Sequence, residues 1–273
     1  ITNSAAFLEA ATNNRTQSLA LQELLASFSE ESLHTAACMV IEYIPTLATH
    51  KFGSYVLARI VARSESLRKL VQDYTLLSFE VLVRDEFANR LMQSLAEQDP
   101  WYRSQITVRW CKLWDNLISE IAPVYLLTAC VKASLCPRDL ELVRDKLLSD
   151  PNQLLQSKYK KRVLVSFASV CNTSHLYEIY CALIRRATLI RIFNDKFLAY
   201  VCVELLTRGF MPMVQQYLGH LNWNYTRLST TKYFWLVAQN LREADHVDWL
   251  SGLSGSLSRT LQIWVRRLSY SNH

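Results

Sequence analysis

The chain has 273 residues, half of them apolar, and a formal net charge of +6. Five glycines and six prolines supply few tight turns for a many-stranded sheet, so an all-α architecture is expected. The charge admits a nucleic acid or an acidic partner without demanding either, and no apolar run reaches the about 18 residues needed to cross a bilayer, so no membrane partner is expected. Seven cysteines with no CxxC pair fit a reducing, intracellular compartment better than a disulfide framework.

Two stretches set the period. His50-Lys51-Phe52-Gly53-Ser54-Tyr55-Val56-Leu57 is followed 35 residues on by Asp85-Glu86-Phe87-Ala88-Asn89-Arg90-Leu91-Met92-Gln93. Both run polar or charged, aromatic, small, polar, then apolar at helical spacing. A recurrence of about 36 residues marks stacked structural repeats. Projected along the chain, it lands on Thr16, Phe52, Phe87, Pro123, Tyr159, Phe197 and Tyr233. The residues four, five and eight positions after each landing point are apolar in twenty cases of twenty-one. Those offsets share one side of a helix.

Equivalent helices are therefore expected near 15–26, 51–63, 86–97, 122–133, 158–169, 196–207 and 232–242, with a terminal cap at 256–268. Amphipathic stretches at 65–71 and 139–148 give each repeat more than one helix. Breakers at Asp99-Pro100, Cys136-Pro137, Asp150-Pro151 and Ser251-Gly252 fall where units should join. The stretch 99–122, with Trp101, Trp110 and Trp114, reads as an elaborated segment between repeats. No linker rich in Gly, Ser or Pro divides the chain, so 1–273 is read as one continuous solenoid domain.

The two quoted stretches, and less closely Asp195-Lys196-Phe197-Leu198-Ala199-Tyr200-Val201, resemble the second helix of Pumilio (PUF) repeats. The resemblance implies seven to eight three-helix repeats in a crescent whose concave face reads RNA, about one base per repeat. In that pattern offsets 2 and 6 from the aromatic touch base edges and offset 3 stacks between bases. Carried over, the triplets are Ser18, Leu19, Gln22; Ser54, Tyr55, Ala58; Asn89, Arg90, Gln93; Tyr125, Leu126, Ala129; Lys161, Arg162, Val165; Ala199, Tyr200, Val203; and Trp235, Leu236, Gln239. Asn89, Arg90 and Gln93 form the one full family-type set, the kind associated with uracil. Ala58, Ala129, Val165 and Val203 lack a hydrogen-bonding group, so the code is degenerate.

A second row is more persistent. Offset −1 reads Arg15, Lys51, Glu86, Ala122, Lys158, Lys196 and Lys232, five of seven basic. Offsets −1, 2, 3 and 6 are expected on the exposed face, where basic groups track phosphates and Tyr55, Tyr200 and Trp235 stack bases with little sequence preference.

No GxGxxG or GxxxxGK[ST] loop occurs, and the six histidines show no metal spacing. No cofactor, metal or catalytic residue is expected, and the chain reads as a non-enzyme. His50 reads as a helix cap or packing residue. The function expected is weakly sequence-specific binding of single-stranded or structured RNA. The resemblance points to ribosomal RNA processing and ribosome biogenesis, or to post-transcriptional regulation. The alternative is a protein-interaction scaffold with partners on the outer face or near Trp101, Trp110 and Trp114. The chain opens at Ile1 rather than Met, so a nucleolar, nuclear, cytoplasmic or organellar site is left open.

Overall fold

The computed structural model describes residues 3–184 and 187–208, with positions 213, 216, 227, 230–234, 236 and 237 beyond them. The expected cap at 256–268 and most of the helix at 232–242 lie outside the described residues. Among the described residues there is no strand, and the chain is an all-α solenoid of repeats.

The helices recur as a three-part module: a short helix, a repeat-defining helix, then a third of 12 or 13 residues. The module appears as Ile44–Thr49, Gly53–Val61, Glu65–Leu77 and again as Phe79–Leu82, Glu86–Gln98, Pro100–Lys112. Trp114–Leu117 and Ile121–Lys132 start a further copy, and Pro151–Gln156, Lys158–Val170, Thr173–Ile184 form another. Leu189–Phe193 and Lys196–Thr207 open the last described one, while Arg15–Ser27 occupies the repeat-defining place at the start.

Where the sequence suggests one domain, contacts divide the chain into two compact units, Ile1–Val143 and Arg144–His273. A period cannot mark such a division, because each repeat touches only its neighbours and the same pattern continues on both sides. In the first unit Arg15–Ser27 packs on Gly53–Val61, which packs on Glu86–Gln98, which packs on Ile121–Lys132. In the second, Lys158–Val170 packs on Lys196–Thr207.

The projected stripe forms these cores. Val56, Leu57, Ile60, Leu91, Met92 and Leu95 in the first unit, and Val163, Leu164, Phe167, Val201, Cys202 and Leu205 in the second, are at most 2% exposed. Each such side chain contributes on the order of 1.5–3 kcal/mol by leaving water. Arg15–Ser27 departs from the projection: Leu21 and Leu25 are buried, whereas Ala20 and Leu24 are exposed.

Polar side chains fix both ends of the repeat-defining helices. Asn14 Oδ1, Asp85 Oδ1 and Asp195 Oδ1 accept first-turn N–H groups, and Ser157 Oγ accepts from the N–H of Lys160. His50 does the same with Nδ1, which accepts from the N–H groups of Phe52 and Gly53 at 3.2 Å each, so its proton sits on Nε2. At the other ends, arginines hold the last carbonyls. Arg63 donates to the carbonyls of Leu25, Ala26 and Phe28, and Arg208 to that of Ala168. Arg68 and Arg103 cap Val61 and Ala96 from the following helix of the same repeat.

The tryptophan-rich stretch is not an elaboration. Asp99 caps Pro100–Lys112 as Ser64 caps Glu65–Leu77, and a short helix follows each at the same interval. Trp110 and Trp114 are 0% and 2% exposed, edge to face with centroids 5.1 Å apart, and Trp110 Nε1 donates to the Pro123 carbonyl at 2.8 Å. Of the three, Trp101 alone reaches solvent. At Gly53 the short preceding helix comes so close that an added Cβ would stand 3.1 Å from the Leu47 backbone.

Candidate nucleic-acid interface

The caps give a register independent of the aromatic landing points. Counting begins at Asn14, His50, Asp85, Glu120, Ser157 and Asp195, the residues at or just before the helix starts. The fifth residues on are Leu19, Tyr55, Arg90, Tyr125, Arg162 and Tyr200. In the first unit these are all exposed, Leu19 at 46%, Tyr55 at 45% and Tyr125 at 38%. In the second, Arg162 and Tyr200 are half-buried.

This register corrects the sequence in the fourth repeat. Ile121–Lys132 starts one residue earlier than a landing on Pro123 implies, and Pro123 itself is buried in its first turn. The triplet Tyr125, Leu126, Ala129 therefore becomes Val124, Tyr125, Thr128. Tyr125 takes the stacking place, and Leu126 is wholly buried. The basic-row position shifts from Ala122 to Ile121, which is 54% exposed. The missed signal is the cap spacing: Glu120 follows Asp85 by the same interval that separates Asp85 from His50.

A second correction concerns offset 2, expected on the exposed face. Ser18, Ser54, Asn89, Lys161 and Ala199 are all buried, with Asn89 only 2% and Lys161 only 7% exposed. A helix in a stack has neighbours on two flanks, so its covered arc is wider than the apolar stripe alone defines. Two of these residues reach the start of the next repeat-defining helix. Ser18 Oγ donates to the Phe52 carbonyl at 3.4 Å, and Lys161 forms an ion pair with the capping carboxylate of Asp195. Asn89 turns inward and donates from Nδ2 to the Val83 carbonyl at 2.7 Å.

The offset-6 partners lie between core and solvent. Gln22 Nε2 donates to Ser18 Oγ at 3.2 Å, and Gln93 Nε2 to Asn89 Oδ1 at 2.6 Å. Both pairs read as base-recognising are thus bonded internally, with part of each glutamine left at the surface. Ala58 and Val165 are half-buried, and Val203 is buried. Trp235 and Gln239 lie outside the described residues.

What the helices present outward is stacking surface and charge. Arg90 donates from Nη1 to Tyr55 Oη at 2.9 Å and from Nη2 to Glu86 Oε1 at 2.6 Å. The bond to Tyr55, and less so the Glu86 charge, raises the guanidinium's already high pKa. Arg15, Lys51, Lys158, Lys196 and Lys232 are exposed. Nζ of Lys51, Lys158 and Lys232 sits 5.5, 4.8 and 5.5 Å from the ring centroid of the adjacent Phe52, Tyr159 and Tyr233. The helices Arg15–Ser27, Lys158–Val170 and Lys196–Thr207 have no acidic residue in the first turn. A cation there opposes the helix dipole and costs about 0.3–1 kcal/mol. The arrangement is one that an anion would relieve.

The fold matches solved structures of known RNA-binding domains. The chain aligns with PUF-8 in complex with PBE-RNA at a TM-score of 0.76 and 17% identity, over 88% of this chain and 70% of that one. It aligns with the Puf3 RNA-binding domain bound to a Cox17 RNA 3′ UTR recognition sequence at 0.79 and 16%, over 95% and 74%. With the RNA-binding domain of yeast Puf5p bound to AAT2 RNA the TM-score is 0.62 at 16%, over 87% and 68%. At these identities the likeness establishes the PUF-like fold. No family model matches the chain, and no curated protein matches it.

Among the described residues no group of three or more His, Cys, Asp or Glu is placed to hold a metal ion. No described helix is long and apolar enough to cross a membrane.

Proposed function

We propose that this chain binds RNA on the face carried by its repeat-defining helices, as a Pumilio-like solenoid with weak sequence preference. The observation that carries the reading is the recurrence, counted from the caps, of an exposed or half-buried planar or basic residue at the fifth position in every repeat but that of Leu19, and of a basic residue at the first in all but those of Glu86 and Ile121. Bases would stack on Tyr55, Arg90, Tyr125, Arg162 and Tyr200 while Arg15, Lys51, Lys158, Lys196 and Lys232 track phosphates. Stacking contributes about 1–3 kcal/mol per base and tolerates any base. Edge reading is confined to the exposed parts of Gln22 and Gln93, since their partners Ser18 and Asn89 are committed to internal bonds. Weak sequence preference of this kind suits unpaired stretches of larger RNAs such as ribosomal precursors, in processing or ribosome biogenesis, better than one short messenger sequence in post-transcriptional regulation. No step requires a metal or cofactor, and the role is binding rather than catalysis.

The test is the salt dependence of affinity for a single-stranded RNA of mixed sequence. Five phosphate contacts at about −0.7 each give a log–log slope near −3.5. Mutating Tyr55 and Tyr125 to Ala should weaken poly(U) and poly(A) alike. Absence of binding at low salt would refute the reading and favour the scaffold alternative, for which the apolar residues at Ala58, Val165 and Val203 speak.

A further inference from the structure

Among the described residues, the two large apolar side chains most open to water lie away from the repeat-defining helices. Leu77, at the end of Glu65–Leu77, is 88% exposed, and Val81, in Phe79–Leu82, is 74% exposed. They flank a cleft of about 340 Å³ whose other wall comes from the end of Pro100–Lys112, at Arg109 and Lys112, with Leu113 just after it. The volume holds one or two large side chains. Its floor is closed by Leu76 and Phe79, 8% and 3% exposed.

Several observations narrow the occupant. The apolar part of the lining is aliphatic with its one aromatic ring buried beneath, so the one planar group left for a nucleobase is the Arg109 guanidinium, which is tied to Gln105. Contiguous exposed apolar residues with a polar rim mark protein contact sites. The rim carries two cations against the single carboxylate of Glu80. Arg109 spends one N–H on Gln105 Oε1, at 3.0 Å, and Lys112 is exposed without an ion pair among the described residues. The dipole of Pro100–Lys112 favours cations in its last turn, but it gives no reason for Leu77 and Val81 to stand in water.

We infer that this cleft docks a short segment of a partner protein in which a large apolar side chain is flanked by acidic residues. The apolar side chain fills the space between Leu77, Val81 and Leu113, and the carboxylates face Arg109 and Lys112. This surface is separate from the proposed RNA face, so a partner and RNA could be held together.

The test uses the full chain and a panel of short fluorescein-labelled peptides in which Phe or Leu alternates with Asp and Glu. Matched peptides carry Lys for the acids, or Ser for the apolar residues. Fluorescence anisotropy should show binding of acidic–apolar members only. Leu77→Ser with Val81→Ser should weaken it about tenfold or more, with thermal stability and RNA affinity unchanged, because both side chains are already in water. Lys112→Glu should weaken the acidic peptides and strengthen their lysine counterparts. The inference is overturned if no acidic–apolar peptide binds, or if the Lys-substituted or Ser-substituted set binds equally. It is likewise overturned if the double variant binds unchanged, if single-stranded RNA displaces the peptide, or if sedimentation shows that the cleft instead joins two copies of this chain.

Discussion

Asn89 shows how a residue type can be read correctly and its task missed. Its place in the repeat and its amide suit base recognition, yet the side chain is buried, donates to the Val83 carbonyl and accepts from Gln93. Asn89→Ala should therefore act first on the fold, by orphaning a buried carbonyl at a cost of about 1–3 kcal/mol. A lowered melting temperature, with uracil preference unchanged in the molecules that remain folded, is the expected result. Asp99 is a second residue whose state is set by its role as a cap. Burial pushes its carboxyl up, but the N–H of Tyr102, the amide of Gln72 and the N–H of Trp101 together outweigh this and hold its pKa below that of an ordinary aspartate. Because the folded value is depressed, Asp99 contributes its full stability above the unfolded value. That stability is lost as pH falls through the folded one. Asp99→Asn should flatten the acid limb of a stability-versus-pH curve measured by urea unfolding.

At the scale of the helix, a conflict is written into the first turns. Lys158 and Lys196 occupy positions where the dipole favours acids, while Ser157 and Asp195 next to them satisfy the N–H groups in the ordinary way. Lys158→Glu and Lys196→Glu should each raise stability by about 0.3–1 kcal/mol and together weaken RNA binding at low salt. Gains in both, or losses in both, would contradict the assignment of these lysines to phosphate contact. Periodicity gave the helices themselves because burial of one stripe dominates their energetics. It put Tyr125 at the edge-reading rather than the stacking place, because a projection from aromatic residues drifts when repeats vary in length, whereas Glu120 marks the true start. Nor did it give the burial of Ser18, Ser54 and Lys161, which depends on the neighbouring helix rather than on the helix that carries them.

Across the molecule, the repeat order and all-α class were legible because each module repeats the same local instructions. The division at Val143 and Arg144 was not, since nothing in a repeating pattern announces where one compact unit ends. The cleft at Leu77 was also out of reach. Leu77 and Leu113 sit in different repeats and meet only when those repeats pack.

The arginines at the helix ends carry a directional consequence. Arg63 belongs to the repeat after the one whose carbonyls it holds, and Arg208 stands in the same relation to Ala168. Each such bond points backward along the chain. Removing the repeat that carries Arg63 or Arg208 strips the last-turn cap from the one before it, whereas the forward contacts, Ser18 to the Phe52 carbonyl and Lys161 to Asp195, reach the start of a helix rather than its end. Erosion of the stack should therefore be polarised. Under limited proteolysis, Arg63→Ala should open cleavage around Leu25 to Phe28, upstream of the substitution, and Arg208→Ala should do the same near Ala168. At these two junctions the stack is latched from its C-terminal side, one repeat holding shut the last turn of its predecessor.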